Sequence, residues 1–154
     1  LAQLPPMMDY DIRRGRTYMY LNESPLYPFG YGLSYTTFVY RNLMTSSSSL
    51  SVDGQMDINV VVKNAGNRAG EEVVQLYVTH LNSKVSRPIR ELKGFARIHL
   101  NPQEEATVKL NLPASRLAYW NVESRRWVVE KDQIEIAVGA SSKDLRLRKT
   151  IRVQ

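Results

Sequence analysis

Apolar and polar side chains alternate along this chain from residue 38 onward, and turn-forming residues interrupt the alternation at intervals of about ten residues. Segment 56–62 is the clearest case, because its even positions are all apolar while positions 57 and 59 carry Asp and Asn. A repeat of two residues places alternate side chains on opposite faces of a strand, so this segment predicts a half-buried β-strand. A chain of such strands must pack one sheet on another to bury the apolar faces.

The other alternating segments extend this prediction to an all-β domain of seven or eight strands. Asn, Gly and Pro residues mark turns at 64–70 and 101–104, and residues 123–126 read as the tip of a hairpin. Regularly spaced short strands are typical of an immunoglobulin-like β-sandwich, and the absence of cysteine favours its fibronectin type III-like form. Two irregularities are expected: a bulge at Gly94, and a bulge or an edge position at Lys149, which falls on the apolar side of the last strand.

The first 37 residues have a different character, being rich in Pro, Tyr and Arg and without a steady period. Within them, the stretch PLYPFGYGLSYTTF at 25–38 mixes aromatic rings with Gly and Pro, which neither a helix nor a regular strand tolerates. We therefore predict an extended linker with an aromatic ribbon at 1–37, followed by the sandwich at 38–154. The first residue is Leu, and we expect the chain to be a piece of a longer protein.

The sequence offers few residues for chemistry. Its two histidines, His80 and His99, stand at the ends of predicted strands with no triad partner nearby, and both are expected at the surface. No metal-ligand spacing, phosphate-binding glycine loop or pair of convergent carboxylates is recognisable, so we predict no catalytic residue, no metal and no cofactor. The net charge of +6 comes without a nucleic-acid-binding motif, and no apolar run reaches membrane-spanning length, which argues against nucleic acid and membrane as partners.

The aromatic residues admit two interpretations. The rings could pack against a neighbouring domain, which the interleaved Gly and Pro favour, or they could stack on sugar rings through the apolar C–H faces of the sugars. The candidate contact residues, for a neighbouring domain or a glycan, are Arg13, Arg14, Arg16, Tyr18, Tyr20, Tyr27, Phe29 and Tyr31. Trp120 and Trp127 lie on the two arms of the predicted hairpin, where core packing or cross-strand pairing is expected.

Several motifs together resemble one family. The stretch PLYPFGYGLSYTTF is similar to the lead-in to the C-terminal fibronectin type III-like domain of family 3 glycoside hydrolases, the β-glucosidases and β-xylosidases. Upstream, LPPMMDYDIRRGRTYMYL resembles the linker before that segment; downstream, KNAGNRAGEEVVQLYV and RPIRELKGFARIHLNPQEEATV resemble its next strands. LAYWNVESRRWVVEKDQIEIAVGASSKDLRL resembles the closing strands, so that the similarity covers nearly the whole chain.

The resemblance implies a non-catalytic module. In this family the nucleophilic Asp and the acid/base Glu belong to domains that precede the matched region, so no catalytic residue carries over to this chain. The expected role is to stabilise, and be positioned against, the catalytic domains of an exo-acting retaining glycosidase. The alternative is an independent β-sandwich that binds polysaccharide or a protein. The sugar and the cellular location are not determined by the sequence, although a secreted or periplasmic parent fits polysaccharide degradation.

Overall fold

The computed structural model describes residues 6–154, so that the first five positions of the predicted linker lie outside the described residues. Residues 6–37 contain turns and extended backbone, and the first strand begins at Phe38. The strands are β1 (Phe38–Thr45), β2 (Ser49–Leu50), β3 (Gln55–Asn64), β4 (Gly70–His80), β5 (Glu91–Leu100), β6 (Glu105–Pro113), β7 (Tyr119–Asn121), β8 (Arg126–Val128), β9 (Gln133–Gly139) and β10 (Leu145–Val153). One 3₁₀ turn, Ala114–Leu117, follows β6.

The strands form a two-layer sandwich. One sheet has the order β1-β3-β6 and the other the order β2-β10-β9-β4-β5, while β7 and β8 form a separate hairpin. All pairings are antiparallel except that of β10 with the two residues of β2. The predicted all-β, fibronectin type III-like architecture is confirmed. The division of the chain at residues 37 and 38 into two units stays a prediction.

The core lies between the two sheets and is built by the alternating apolar positions. Ile58, Val60 and Val62 of β3 are completely buried, as are Ile134, Ile136 and Val138 of β9. Full burial of one such side chain stabilises the fold by about 1.5–3 kcal/mol. The period-two pattern of the sequence therefore identifies the inward face of each long strand.

The two predicted irregularities have different outcomes. On β5, Gly94 pairs with Leu76 and Leu92 pairs with Tyr77, so the extra residue of the bulge is Lys93, next to the predicted position. On β10 the register shifts between Leu145 and Leu147, whereas Lys149 stays in regular register with β9.

Lys149 lies on an open stretch of β10, because β2 pairs only with Arg152 and Val153. Its ammonium group reaches across this edge and donates a hydrogen bond to Thr45 Oγ1 at 2.8 Å. The edge position predicted for this lysine is correct, and the bulge predicted there is wrong.

A buried amide closes the end of the sandwich at which the linker enters. The side chain of Asn64 is fully buried and donates to the carbonyl oxygens of Arg68 at 2.7 Å and Leu100 at 3.0 Å. Its oxygen accepts from Thr36 Oγ1 at 2.6 Å and from the Gly66 N–H at 3.0 Å. One side chain thus joins the linker to the β3–β4 loop and to the end of β5.

We expect Asn64→Ala to lower the free energy of unfolding by about 2–4 kcal/mol, because it leaves several buried polar groups without partners. Urea unfolding of the purified chain measures this change. The matched control is Asn111→Ala, which removes an exposed hydrogen bond to Asp57 and should cost less than about 0.5 kcal/mol. Equal effects of the two substitutions would contradict the role assigned to Asn64.

Candidate functional site

The N-terminal segment lies against the outer face of the five-stranded sheet. Tyr18 stacks on Phe29 with a ring separation of 4.1 Å and an interplanar angle of 9°, and it meets the edge of Tyr77 on β4 at 6.3 Å. The hydroxyl oxygen of Tyr18 accepts a hydrogen bond from the Leu92 N–H at 3.0 Å. Two of the predicted contact residues, Tyr18 and Phe29, are therefore used within the chain to hold the segment to the sheet.

Gln75 of β4 fixes the ribbon at one point. Its amide nitrogen donates to the carbonyl oxygens of Gly30 at 3.0 Å and Ala140 at 2.6 Å, and its amide oxygen accepts from the Tyr77 hydroxyl at 2.6 Å. Gly30 has a φ of +79°, and a Cβ on it would run into the Gln75 side chain. The residue must therefore be glycine for two independent reasons, its left-handed backbone and its closeness to the amide.

Beyond these anchors, the ribbon presents its other large side chains to solvent. We call the exposed set the aromatic face; it comprises Leu26, Tyr27, Tyr31, Leu33 and Tyr35. Tyr35 is 92% and Leu33 is 88% exposed although the backbone between Gly30 and Phe38 is held at both ends. A groove of about 590 Å³ runs beside this face, between the ribbon and the edge of β4 and β5. Larger exposed apolar patches often mark interaction sites, so the aromatic face is a candidate contact surface.

The predicted arginines are exposed and have partners inside the segment. Arg13 forms an ion pair with Asp11 at 2.8 Å, and Arg14 forms one with Asp9 at 2.9 Å. The hydrogen bond from Arg13 lowers the pKa of the Asp11 carboxyl to about 2. Arg16 donates to the carbonyl oxygen of Pro6. A contact of these guanidinium groups with another domain stays a prediction, since each retains a free, exposed side.

Tyr20 and Tyr27 differ in their surroundings. Tyr20 is half-buried in a turn and donates its N–H to the Thr17 carbonyl at 3.0 Å. Tyr27 is exposed and lies 5.6 Å from the Tyr31 ring at an interplanar angle of 41°. The structure thus separates the predicted set into anchoring rings and outward-facing rings, a distinction that the spacing of tyrosines does not contain.

The surface position expected for His80 is wrong, whereas His99 is exposed as expected. The His80 side chain is only 2% exposed, and its Nδ1 lies 3.0 Å from the carboxylate of the fully buried Asp132. That carboxylate also accepts the N–H groups of Asn82 and Gln133, which ties the β4–β5 loop to the start of β9. The strand-end position of His80 predicts exposure, but the loop that follows covers it.

His80 is held as a neutral imidazole. Burial lowers its pKa below the usual 6.5, and the neighbouring Arg87 lowers it further, while the hydrogen bond and charge of Asp132 act in the opposite direction. The ring therefore donates its Nδ1–H to Asp132, and Nε2 is buried without a partner among residues 6–154. The 3.0 Å distance alone would suggest an ion pair, but a charged imidazole would have to be buried together with the Asp132 carboxylate, which is costly.

Across the described residues, no group of three or more His, Cys, Asp and Glu side chains is arranged to hold a metal ion. In residues 6–154, no helix is long and apolar enough to cross a membrane. The outstanding features are instead the anchored segment and its aromatic face.

Residues 72–142 match the family model of the fibronectin type III-like domain, and the match spans β4 to β9, including the strand that carries Gln75. The chain contains a fibronectin type III-like domain. The chain is 44% identical over 129 residues to thermostable β-glucosidase B of Acetivibrio thermocellus, covering 84% of this chain and 17% of the relative. It is 45% identical over 141 residues to a β-glucosidase of Kluyveromyces marxianus, covering 90% of this chain and 16% of the relative.

A solved structure supports the same relationship. The crystal structure of the Bifidobacterium adolescentis GH3 β-glucosidase superposes with a TM-score of 0.81 at 30% identity, covering 88% of this chain and 20% of that one. The resemblance to family 3 glycoside hydrolases drawn from the sequence motifs is confirmed. The chain spans about a fifth or less of the length of these relatives.

Replacement of Gly30 tests the anchor of the ribbon. We expect Gly30→Ala to lower the free energy of unfolding by about 1–3 kcal/mol, because the new methyl group displaces Gln75 and strains the backbone. Chymotrypsin should also cut the ribbon faster in this variant. Gly32→Ala is the matched control, since a Cβ at Gly32 meets nothing within 4 Å. Equal stability and equal cleavage of the two variants would contradict the anchor.

The buried imidazole gives the domain a defined pH dependence. Because the folded-state pKa of His80 is lowered, its contribution is fully present above pH 6.5 and is lost as the pH falls from 6.5 through that lowered value. We expect the unfolding free energy to fall in this window, and His80→Gln to flatten the slope. Burial raises the pKa of Glu72 above 4.5, which changes the unfolding free energy with pH in the opposite direction. Because Glu72 is present in both the unsubstituted chain and His80→Gln, the difference between their slopes isolates the effect of His80.

Urea unfolding at a series of pH values on both sides of 6.5 measures this effect. His99→Gln is the control, and it should keep the slope of the unsubstituted chain because His99 is exposed and takes no part in the His80–Asp132 contact. A slope unchanged by His80→Gln would show that the cost of charging this buried imidazole does not contribute to the free energy of unfolding.

Proposed function

We propose that this chain is a non-catalytic module of a family 3 glycoside hydrolase, in which it stabilises and is positioned against the catalytic domains. The parent would be an exo-acting retaining glycosidase that removes a terminal glucose, xylose or similar sugar. The similarity to one part of longer β-glucosidases supports this proposal. The aromatic face would be the contact surface, with Arg13, Arg14 and Arg16 as additional charged contacts.

The observation that carries the proposal is the combination of a fixed backbone with exposed rings. Gln75 and the Ser142 N–H, which donates to the Phe29 carbonyl at 2.9 Å, hold the ribbon in place without burying Tyr27 or Tyr31. A fixed surface loses little conformational entropy when a partner covers it. Such a face is suited to a permanent contact with another domain of the same enzyme.

The acidic residues beside the groove support a non-catalytic role. Hydrolysis of a glycoside needs two carboxyl groups that converge on one bond. Here Asp144 forms an ion pair with Arg146 at 2.7 Å, and Glu72 accepts the Val73 N–H at 2.9 Å. Glu71, the third acidic residue beside the groove, forms an ion pair with Arg97, so all three carboxylates are engaged in local contacts.

The alternative role, an independent polysaccharide-binding module, requires a different use of the same rings. Tyr27 and Tyr31 are tilted by 41° to each other and do not offer one plane to a flat sugar chain. Retention of the isolated chain on xylan or cellulose that disappears in Tyr27→Ala and Tyr31→Ala would favour this alternative over the interdomain contact.

A chimera tests the proposed function. Replacing the matching segment of the Kluyveromyces marxianus β-glucosidase with this chain should give an active enzyme, since the two are 45% identical. We expect Tyr27→Ala combined with Tyr31→Ala to lower the melting temperature of the chimera by several degrees, because each buried ring contributes about 1.5–3 kcal/mol. The same pair in the isolated chain should change its melting temperature very little.

The control for this experiment is Val122→Ala, which shortens an exposed side chain on the β7–β8 hairpin, away from the aromatic face. It should leave the chimera as stable as before. If the tyrosine pair shifts both proteins equally, or neither of them, the aromatic face is not the contact surface.

A further inference from the structure

A second concave surface lies at the end of β3 opposite the one at which the linker enters. The linker enters beside Asn64, the last residue of β3, whereas this second groove begins at Gln55, the first residue of the same strand. Ten residues of strand separate the two ends, which corresponds to about 30 Å. The groove has a volume of about 930 Å³ and lies between the β7–β8 hairpin and the turn that joins β2 to β3. We call it the Trp127 groove.

One wall of the groove is an exposed tryptophan whose orientation is fixed. Trp120 and Trp127 are directly opposite each other on the hairpin, and their rings meet edge to face at 5.8 Å and 73°. The cross-strand pairing expected from the sequence is confirmed, but neither ring enters the core, since Trp127 is 68% and Trp120 is 49% exposed. The pair is therefore ordered without being buried.

The rest of the groove combines an apolar floor with unused polar groups. Val52, Pro113, Ala118 and Val129 supply the apolar part. The side chains of Asp53, Gln55 and Ser115 take part in none of the side-chain hydrogen bonds found within residues 6–154. Arg116 is held by a hydrogen bond from Nη1 to the Lys93 carbonyl at 2.6 Å and keeps further N–H donors.

The walls are held in place by contacts of their own. The Arg87 guanidinium lies 4.6 Å from the centre of the Tyr119 ring and donates to the Leu117 carbonyl at 3.2 Å, which supports the base of the hairpin. On the other side, the Ala114 N–H donates to the Gly54 carbonyl at 2.9 Å and fixes the β2–β3 turn. A ligand would enter a groove that is already formed, which reduces the entropy cost of binding.

This lining matches the chemistry of a sugar. A pyranose ring has apolar C–H faces that stack on an indole, and hydroxyl groups around its rim that both donate and accept hydrogen bonds. Trp127 would take the face of the ring, and the carboxylate, amide, hydroxyl and guanidinium groups would take the rim. An apolar peptide or a lipid would leave Asp53 and Gln55 desolvated without partners, which is costly. A nucleic acid would bring its phosphates close to Asp53.

We propose that the Trp127 groove is a binding site for a neutral oligosaccharide of β-linked glucose or xylose units. The site itself is argued from the lining residues, whereas the identity of the sugar units rests on the proposed function. The site would hold a glycan chain on the module, apart from any contact that the aromatic face makes with catalytic domains.

Titration of the isolated chain with cellotetraose and with xylotetraose tests this site, with tryptophan fluorescence and amide NMR shifts as readouts. We expect saturable binding of at least one of them, with shifts in residues of the hairpin and the β2–β3 turn. Trp127→Ala should weaken the affinity by about tenfold or more, as loss of a central aromatic contact does. Asp53→Ala should weaken it by about threefold to tenfold through loss of a hydrogen bond.

Tyr10→Ala is the matched aromatic control, because Tyr10 is 79% exposed and lies in the N-terminal segment. This variant should bind the oligosaccharides with the same affinity as the unsubstituted chain. The proposal is overturned if neither oligosaccharide binds saturably, if Trp127→Ala binds as before, or if Tyr27→Ala abolishes binding in its place. The chimera experiment does not involve this groove, so the two proposals can fail separately.

Discussion

The amide of Gln75 holds the N-terminal segment to the sheet, and the orientation of the aromatic face depends on it. The amide satisfies the Gly30 carbonyl on the ribbon, the Ala140 carbonyl after β9 and the hydroxyl of Tyr77 at the same time. A buried polar group of this kind is favourable only when all its partners are in place, so the ribbon, the sheet and the β9–β10 loop specify one another. The positive φ of Gly30 is the backbone geometry that allows this close approach.

The sandwich could be predicted from the sequence because apolar residues recur at every second position of the core strands, and this period determines which side chains point inward. The roles of Gln75 and His80 could not be predicted from the sequence. A polar residue on the outer face of a strand predicts exposure, and Gln75 is buried only because a segment about 45 residues earlier in the chain covers it. The tyrosines were similarly uninformative one by one, since Tyr18 and Tyr31 have the same chemistry but only Tyr18 meets an aromatic ring of the sheet, the edge-to-face contact with Tyr77.

The domain therefore has two surfaces with different physical characters, one on the ribbon and one beside the β7–β8 hairpin. The aromatic face is apolar and its backbone is held at both ends, which suits a large and permanent contact. The Trp127 groove is concave, is lined by groups that can donate and accept hydrogen bonds, and has one wall formed by a hairpin outside both sheets. A module with this arrangement could occupy a fixed position in an enzyme through the aromatic face while the Trp127 groove faces solvent.

The long-range bonds of the linker also determine the order in which the chain can assemble. Arg146 donates to the Phe38 carbonyl at 2.7 Å across 108 positions of sequence, and Ser142 reaches Phe29 in the same way. The ribbon precedes the sheet in the chain, so these two bonds can form only after the β9–β10 loop and β10 have been synthesised. The two anchors of the ribbon at Phe29 and Phe38 are therefore the last of its contacts to become available, after those with β4 and β5.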